Sequence, residues 1–574
     1  MASDVMGSAV WNDFPGDDVN YLANKRYLLL GRPVFPGTLE PIYGKLHFRR
    51  PAHMLSVAPT GTGKGVSLII PNLLSYRGSM LVVDPKGENA WVTAKWRREG
   101  LGNKVYILDP WGEVNNQYGA RAGVEETVAR LNPLASLDPK AADYMGEVGY
   151  FADALVVVQE DSKDPHWDRT AKELVAGTIG YVMESDKLRP EERTLGLMRK
   201  LLRQSDETLL NMCKKAKEVL GEKNPDSVAA AKLARFGKDT TETSGVFSAA
   251  RTQTAFLDTM PEQQESDFSF DELAGDGQPA TIYLVLPADK LRTDARWLRL
   301  MVSMAIRAVV RIRAPQDLPV MFMLDEFGTV GALAAIEEAY GLMRGYGMRV
   351  WAFLQDFSQL QRDYPKSWNT FISNSSAVTS FGVMDQETAE LISRMLGTGT
   401  ASYETHSESI GTSTSYGGNS VTTSTSRSAS TSVNLTGRPL LMPDEVRRLN
   451  EDLCLVLGRH KPILCRRLVY YEDYPFYRAA RFDPQFGNPE RQIKAAEAKT
   501  AAALAQWAGQ RVVGFQSARG ALLPCGFKIE KTRWGRIAVL RGGRQVAKFR
   551  SEKEFVPWAR NIMAEGFRRL QLVF

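Results

Sequence analysis

The 574-residue sequence contains no run of about eighteen apolar residues, the length that a membrane-crossing helix needs, and its first residues lack the charged-then-apolar order of a secretory signal. The chain as it stands is expected not to span a membrane. Cysteine is scarce. Cys213, Cys454, Cys465 and Cys525 are scattered without metal-ligand spacing, and the five histidines do not cluster near them. That argues against a disulfide framework or a zinc module and for reduced thiols in a cytoplasmic protein. No strong charge of either sign is present: a net charge of +6 permits a nucleic-acid partner without arguing for one. An apolar fraction of 44% with 24% charged residues is ordinary for a globular protein, and the length calls for more than one domain.

What is present is concentrated in two segments. The first, HMLSVAPTGTGKGVSLIIPNLL from His53 to Leu74, reads as a short buried strand, a glycine-rich turn and the start of a helix. That is how a phosphate-binding loop is built: successive backbone N–H groups wrap an anion, and the helix N-terminus adds its partial positive charge. Thr60, Gly61, Thr62, Gly63, Lys64, Gly65 and Val66 form the candidate loop, with Lys64 reaching the β- and γ-phosphates of ATP. The pattern departs from the usual one twice. Ala58 stands at the first glycine, and Gly65 stands where a Ser or Thr hydroxyl normally binds Mg²⁺.

The second segment is LPVMFMLDEFG, Leu318 to Gly328, an apolar strand that ends in two adjacent carboxylates. Asp325 is the candidate ligand for Mg²⁺, and Glu326 the candidate that polarises the water attacking a γ-phosphate. A helix start carrying acids to suit its dipole is the plainer alternative, but an uninterrupted apolar strand feeding two acids, downstream of the loop, favours nucleotide hydrolysis.

Around these segments, strand-like runs at GSMLVVDPKGE, KVYILDPWG, ATIYLVLP and MRVWAFLQD alternate with helical stretches and end in polar residues, which predicts a parallel sheet with its ligand at the strands' carboxyl ends. From 140 to 258 the apolar residues fall at helical spacing only, which predicts an all-α insertion. Residues 398–437 are so rich in Ser, Thr and Gly that they are expected to be a mobile loop. Asp444 is expected to cap a short helix. A compact tail, 489–574, carries strand-like runs and a Gly-Gly hairpin signal, then a helix from Glu552 to Leu570.

The order APTGTGKG, LVVDPKGE, LDEFG, WAFLQDFSQL, polar tract, RPLLMPDEVRRL resembles the coupling ATPases of type IV secretion and conjugation, the TraG/VirD type, over about residues 7 to 480. The GKG ending is common in that family. The resemblance implies an α/β fold: a RecA-like P-loop NTPase domain with a mainly parallel sheet (58–139 and 259–480) after a lead-in (1–57), an inserted all-α domain and a small α+β C-terminal extension. It further implies a homo-hexameric ring on the cytoplasmic face of the inner membrane. Such a ring receives DNA with its relaxosome, or effector proteins, and works with the channel's ATPases and inner-membrane components. Two residues carry over by position. Arg344, nineteen residues after Asp325, matches an arginine that reaches a neighbouring subunit's nucleotide, and Gln355 matches a γ-phosphate sensor. The DPKGE turn, with Asp84, Lys86 and Glu88, is a hallmark without an assigned role. Family members usually carry transmembrane helices ahead of the nucleotide domain, whereas 57 residues precede Ala58 here; either such a segment is missing from this sequence, or a separate membrane anchor is a partner, and the sequence leaves both open. A DNA pump for packaging or chromosome segregation, and a nucleotide-binding adaptor that does not hydrolyse, remain open alternatives.

Overall fold

The computed structural model describes residues 8–12, 19–20 and 27–481, apart from 37, 40–44, 49–52, 159–164, 239, 262–263, 276, 292, 313–317, 418–419 and 474, and then 494–495, 498, 527–531, 537–541 and 544–559. One twelve-stranded sheet organises it. In chain order its strands are β1 (Val19–Asn20), β2 (Leu28–Pro33), β3 (Leu46–Phe48), β4 (His53–Val57), β5 (Met80–Asp84), β6 (Lys104–Leu108), β7 (Ala280–Val285), β8 (Val320–Leu324), β9 (Met348–Leu354) and β10 (Ser375–Ser380). A separate hairpin, β11 (Thr398–Gly417) and β12 (Ser420–Pro439), precedes the last two, β13 (Leu453–Gly458) and β14 (Ile463–Arg466). The sheet order is β1-β3-β2-β14-β13-β10-β4-β9-β8-β5-β7-β6. From β10 to β6 every neighbouring pair is parallel, and from β13 outward every pair is antiparallel.

The inner parallel strands β5 (MLVVD) and β8 (VMFML) are apolar up to their carboxyl ends because both of their faces are covered. In β8, Val320, Phe322 and Leu324 enter one core, while Met321 and Met323 enter the other. The first core also takes the helices between β6 and β7. The second takes the helices Ile70–Ser75 and Glu88–Glu99, which follow β4 and β5. The lead-in expected over 1–57 is not separate from the sheet, since β4 lies near its centre and β1 to β3 extend its antiparallel side. The reason is plain in the burial: Leu28, Leu29, Leu30, Leu46 and Phe48 join the second core.

Between β6 and β7 the longer elements are helices, among them Tyr144–Leu155, His166–Glu184, Leu195–Leu202, Asp206–Lys215 and Thr241–Gln253. Their starts are written in the sequence. Thr194, Ser205, Ser227 and Thr240 each accept a backbone N–H three residues on, worth about 1 kcal/mol per cap. No helix among the described residues is long and apolar enough to cross a membrane.

Two expectations are corrected here. Residues 398–437 are not an open loop: β11 and β12 pair residue for residue from Thr398↔Pro439 to Gly417↔Ser420. The described side chains of the hairpin are almost all exposed, so it lacks a hydrophobic core, but the ladder satisfies its backbone and hydroxyls pair across it, as in Ser407–Ser430 at 2.7 Å and Ser409–Ser428 at 2.9 Å. The helix Pro443–Arg447 is capped at Met442 and not at Asp444: Glu445 accepts the Met442 N–H at 2.8 Å, and Pro443 fills the first turn. In the tail, β15 (Phe527–Lys531), β16 (Ile537–Arg541) and β17 (Arg544–Phe549) form a small antiparallel sheet, followed by helix over 552–559. The rest of the expected helix to Leu570 lies outside the described residues.

The helix behind the phosphate loop is fastened by a buried cation. Arg97 is fully buried and donates to Thr281 Oγ1 (2.5 Å), Leu73 O (2.7 Å), Tyr76 O (2.9 Å) and Gly78 O (3.0 Å). Arg97→Ala strands four acceptors and opens a cavity, at a cost of about 3–5 kcal/mol. We expect the unfolding transition of the sheet to drop by on the order of 10 °C in a thermal melt; a drop of one or two degrees would mean that these contacts are dispensable.

Candidate active site

β4 ends at Val57, and the chain then turns through Pro59 to Gly63. Gly61 and Gly63 both take positive φ, 81° and 87°, which a side chain would resist. These conformations bend the loop so that Lys64 opens a wide helical turn, Gly65–Ile69, running into Ile70–Ser75. Thr62 closes the bend through its hydroxyl on Pro59 O at 2.6 Å. Lys64 is buried to 7% exposure, yet its Nζ lies 3.5 Å from Glu326 Oε1.

Glu326 comes from the end of β8 and sits in the left-handed region, φ 53°, ψ 46°. For a non-glycine residue this conformation costs roughly 1–2 kcal/mol. It is held by its neighbours: the Glu326 N–H donates to Asp325 Oδ1 at 3.0 Å, and Phe327 is buried among Tyr364 and Phe371. Gln355, at the end of β9, donates Nε2–H to Glu326 Oε2 at 2.9 Å. Lys64, Glu326 and Gln355, predicted from distant parts of the sequence, therefore meet on one carboxylate. Such a cluster can hold a triphosphate by its lysine and orient a water by its carboxylate and amide.

Arg344 is not brought to this cluster. It lies in the turn Met343–Tyr346, before the first residue of β9, whereas Gln355 follows the last. Seven residues of strand, roughly 20 Å, separate the two ends. The Arg344 side chain lies outside the described residues.

Asp325 and the DPKGE turn share one wall of the site. Burial pushes Asp325 up to about 6, against the pull of Lys64; the Glu326 charge pushes it further and Lys86 draws it back. Burial also raises Asp84 to about 7, opposed by N–H bonds from Ala90 and Asn89, with the Asp325 and Glu88 charges adding to the rise. Two carboxylates raised by burial, with the Asp325 charge adding to the rise of Asp84, constitute a deficit of positive charge. The oxygen donors here fit a hard divalent cation such as Mg²⁺. Among the described residues no three His, Cys, Asp or Glu side chains converge to hold a metal by themselves, so a metal here would draw other ligands from elsewhere, such as a bound phosphate.

Three neighbours were not foreseen. Gln359 Oε1 accepts the Gln355 N–H at 3.0 Å, and a Cβ at Gly328 would lie 2.8 Å from the amide end of Gln359, which would have to shift. Arg467, just past β14, hydrogen-bonds Thr62 O and lies over the Phe381 ring at 5.0 Å, bracing the loop from outside. Asn89 donates Nδ2–H to Asp84 Oδ1 at 3.3 Å, beside Gly65. Gln359, four residues after Gln355, and Asn89, next after DPKGE, had local signals; Arg467, 405 residues from Thr62, had none.

Known proteins resemble the chain over most of its length. Residues 24–506 match the family described as type IV secretory system conjugative DNA transfer. The chain is similar to the conjugal transfer protein TraG of Escherichia coli, 28% identical over 491 residues, covering 78% of this chain and 72% of the relative. It is also similar to the type IV secretion system-coupling protein VirD4 of Bartonella henselae, 26% identical over 446 residues, 75% of this chain and 65% of that one. Among solved structures, the plasmid coupling protein TrwB in complex with ADP and Mg²⁺ superposes with a TM-score of 0.54 at 16% identity, over 81% of this chain and 96% of that one. This likeness shows a shared α/β fold.

Ionising Asp84 opposes folding, because its carboxyl is raised from 3.8 to about 7. Its contribution to stability is complete below pH 4 and is lost as the pH climbs through 7. Asp84→Asn keeps an acceptor for Ala90 and removes the charge. The melting temperature of the variant should fall less between pH 5 and 8 than that of the wild type; parallel curves would show that Asp84 does not carry this dependence.

Proposed function

Because the chain belongs to the type IV secretory system conjugative DNA transfer family, we propose that it is an ATP-hydrolysing coupling protein that receives DNA, or effector protein, and helps to drive it into a secretion channel. The observation that carries this reading is the meeting of Lys64 and Gln355 on the two oxygens of Glu326. Lys64 and the N–H groups of Thr60 to Val66 bind the phosphates. Asp325 would hold Mg²⁺, which would supply charge neutralisation to the bound phosphates. Glu326 takes the proton of the attacking water, and Gln355 orients that water while reporting on the γ-phosphate. The solved TrwB complexes with ADP and Mg²⁺ and with an ATP analogue support this cofactor pair.

The working form in this reading is a homo-hexameric ring. The position of Arg344 supports it: with its turn at the opposite end of β9 from Gln355, the nucleotide it serves is a neighbouring subunit's. A trans arginine makes turnover depend on assembly. The partners are a relaxosome with its DNA strand and the channel's ATPases and inner-membrane components, met at the cytoplasmic face of the inner membrane.

Phosphate release, measured with and without single-stranded DNA, tests the chemistry. Glu326→Gln should bind ATP and lose about two to four decades of turnover. A wild type no faster than this variant under assembling conditions would leave a nucleotide-binding adaptor. Arg344→Ala should also bind ATP normally and lose about three to five decades. Mixed with Lys64→Ala subunits, whose own sites are dead but whose arginines are intact, it should recover part of the loss. Absence of recovery in mixed rings would remove the trans role.

A further inference from the structure

The phosphate loop has Gly65 at the position from which a hydroxyl normally reaches the metal, so an oxygen is missing from the expected coordination sphere. A Cβ built on Gly65 has open space around it with one exception: beyond its chain neighbours and the backbone of its own helix, Asn89 Oδ1, 3.9 Å away, is the one atom within 4 Å of it. The space into which a serine hydroxyl would project is thus faced by an amide oxygen from the helix that follows DPKGE.

That oxygen is aimed. Asn89 is buried to 4% exposure and its Nδ2–H donates to Asp84 Oδ1, so the amide must turn its oxygen the other way, toward Gly65. Asp84 is itself fixed by the Ala90 N–H on Oδ2 at 2.8 Å, and the Asn89 backbone is tied by the Thr93 hydroxyl on its carbonyl at 2.6 Å. A neutral donor suits the place. With Asp84 and Asp325 already there, a third carboxylate would repel both, whereas an amide adds an oxygen without charge.

Resting on the nucleotide-site reading above, we infer that Asn89 stands in for the absent loop hydroxyl as an oxygen donor toward Mg²⁺, oriented by Asp84. The DPKGE turn thereby acquires a role in the site, because it carries the helix start that delivers the substitute ligand.

The test is the Mg²⁺ dependence of binding of a fluorescent ADP analogue to the full chain, which reads the metal without turnover. Wild type should bind more tightly with Mg²⁺ than with EDTA. Asn89→Ala should lose about tenfold or more of that Mg²⁺-dependent gain, as loss of metal-supporting groups commonly does, with its EDTA affinity unchanged. Gly65→Ser in the Asn89→Ala background should restore most of the gain, since a Cβ at Gly65 meets no close contact. An Asn89→Ala protein with the full Mg²⁺ gain overturns the inference while leaving the nucleotide site standing. So does one that has lost affinity equally in EDTA and that Gly65→Ser does not rescue. A wild type that binds the analogue in neither condition overturns the nucleotide site and this inference with it.

Discussion

Everything at the site depends on β9 lying between β4 and β8. Parallel pairing sets neighbouring strands about 5 Å apart and brings their carboxyl ends to one edge. The loop after β4 presents Lys64, the end of β8 presents Glu326, and the strand between them ends in the one side chain long enough and neutral enough to touch Glu326 without competing with the lysine. The two registers, Leu55↔Ala352 and Leu324↔Ala352, tie all three strands at one level. A slip of one residue in either would turn Gln355 to the other face. The strained backbone of Glu326 belongs to the same constraint: the left-handed turn swings the carboxylate back over the strand ends, and the burial of Phe327 on the next residue holds it there.

Much of this was legible in the sequence because each part announces itself locally. Glycines before a lysine and an apolar strand before two acids are patterns with a direct physical meaning, and the apolar runs of β5, β7, β8 and β9 need no partner to be recognised as doubly buried strands. What was not legible is of two kinds. Arg467 acts through contacts that only the folded sheet creates, and nothing beside it in the chain marks it; Asn89 directly follows DPKGE, but its approach to Gly65 exists only in the fold. The hairpin of β11 and β12 is hidden for a different reason. Its composition offers no core, which argues for disorder, but the Gly-Asn pair between Gly417 and Ser420 is also a signal for a two-residue hairpin turn. Pattern outweighs composition because a long ladder can satisfy its own backbone.

The DPKGE turn illustrates how one motif divides between architecture and chemistry. The same spelling recurs one strand later as DPWGE, where Asp109 accepts the N–H groups of Glu113 at 3.0 Å and Val114 at 2.8 Å. Both aspartates stand where a strand ends and start the next helix, and burial raises both carboxyls. That shared duty is architectural. Only the first copy lies next to the acidic end of β8, since β5 pairs with β8 and β6 does not. The Asp84 copy is therefore the one placed to act on what binds there.

The hairpin has a consequence for how such a chain can vary. Its two strands leave and rejoin the domain at paired residues, Thr398 and Pro439, so the rest of the fold meets only its base. Its twenty-residue strands extend roughly 65 Å outward. Residues can be added or removed in matched pairs along that arm while the catalytic edge of the sheet registers nothing. Reach and chemistry are thereby free to evolve independently within one polypeptide.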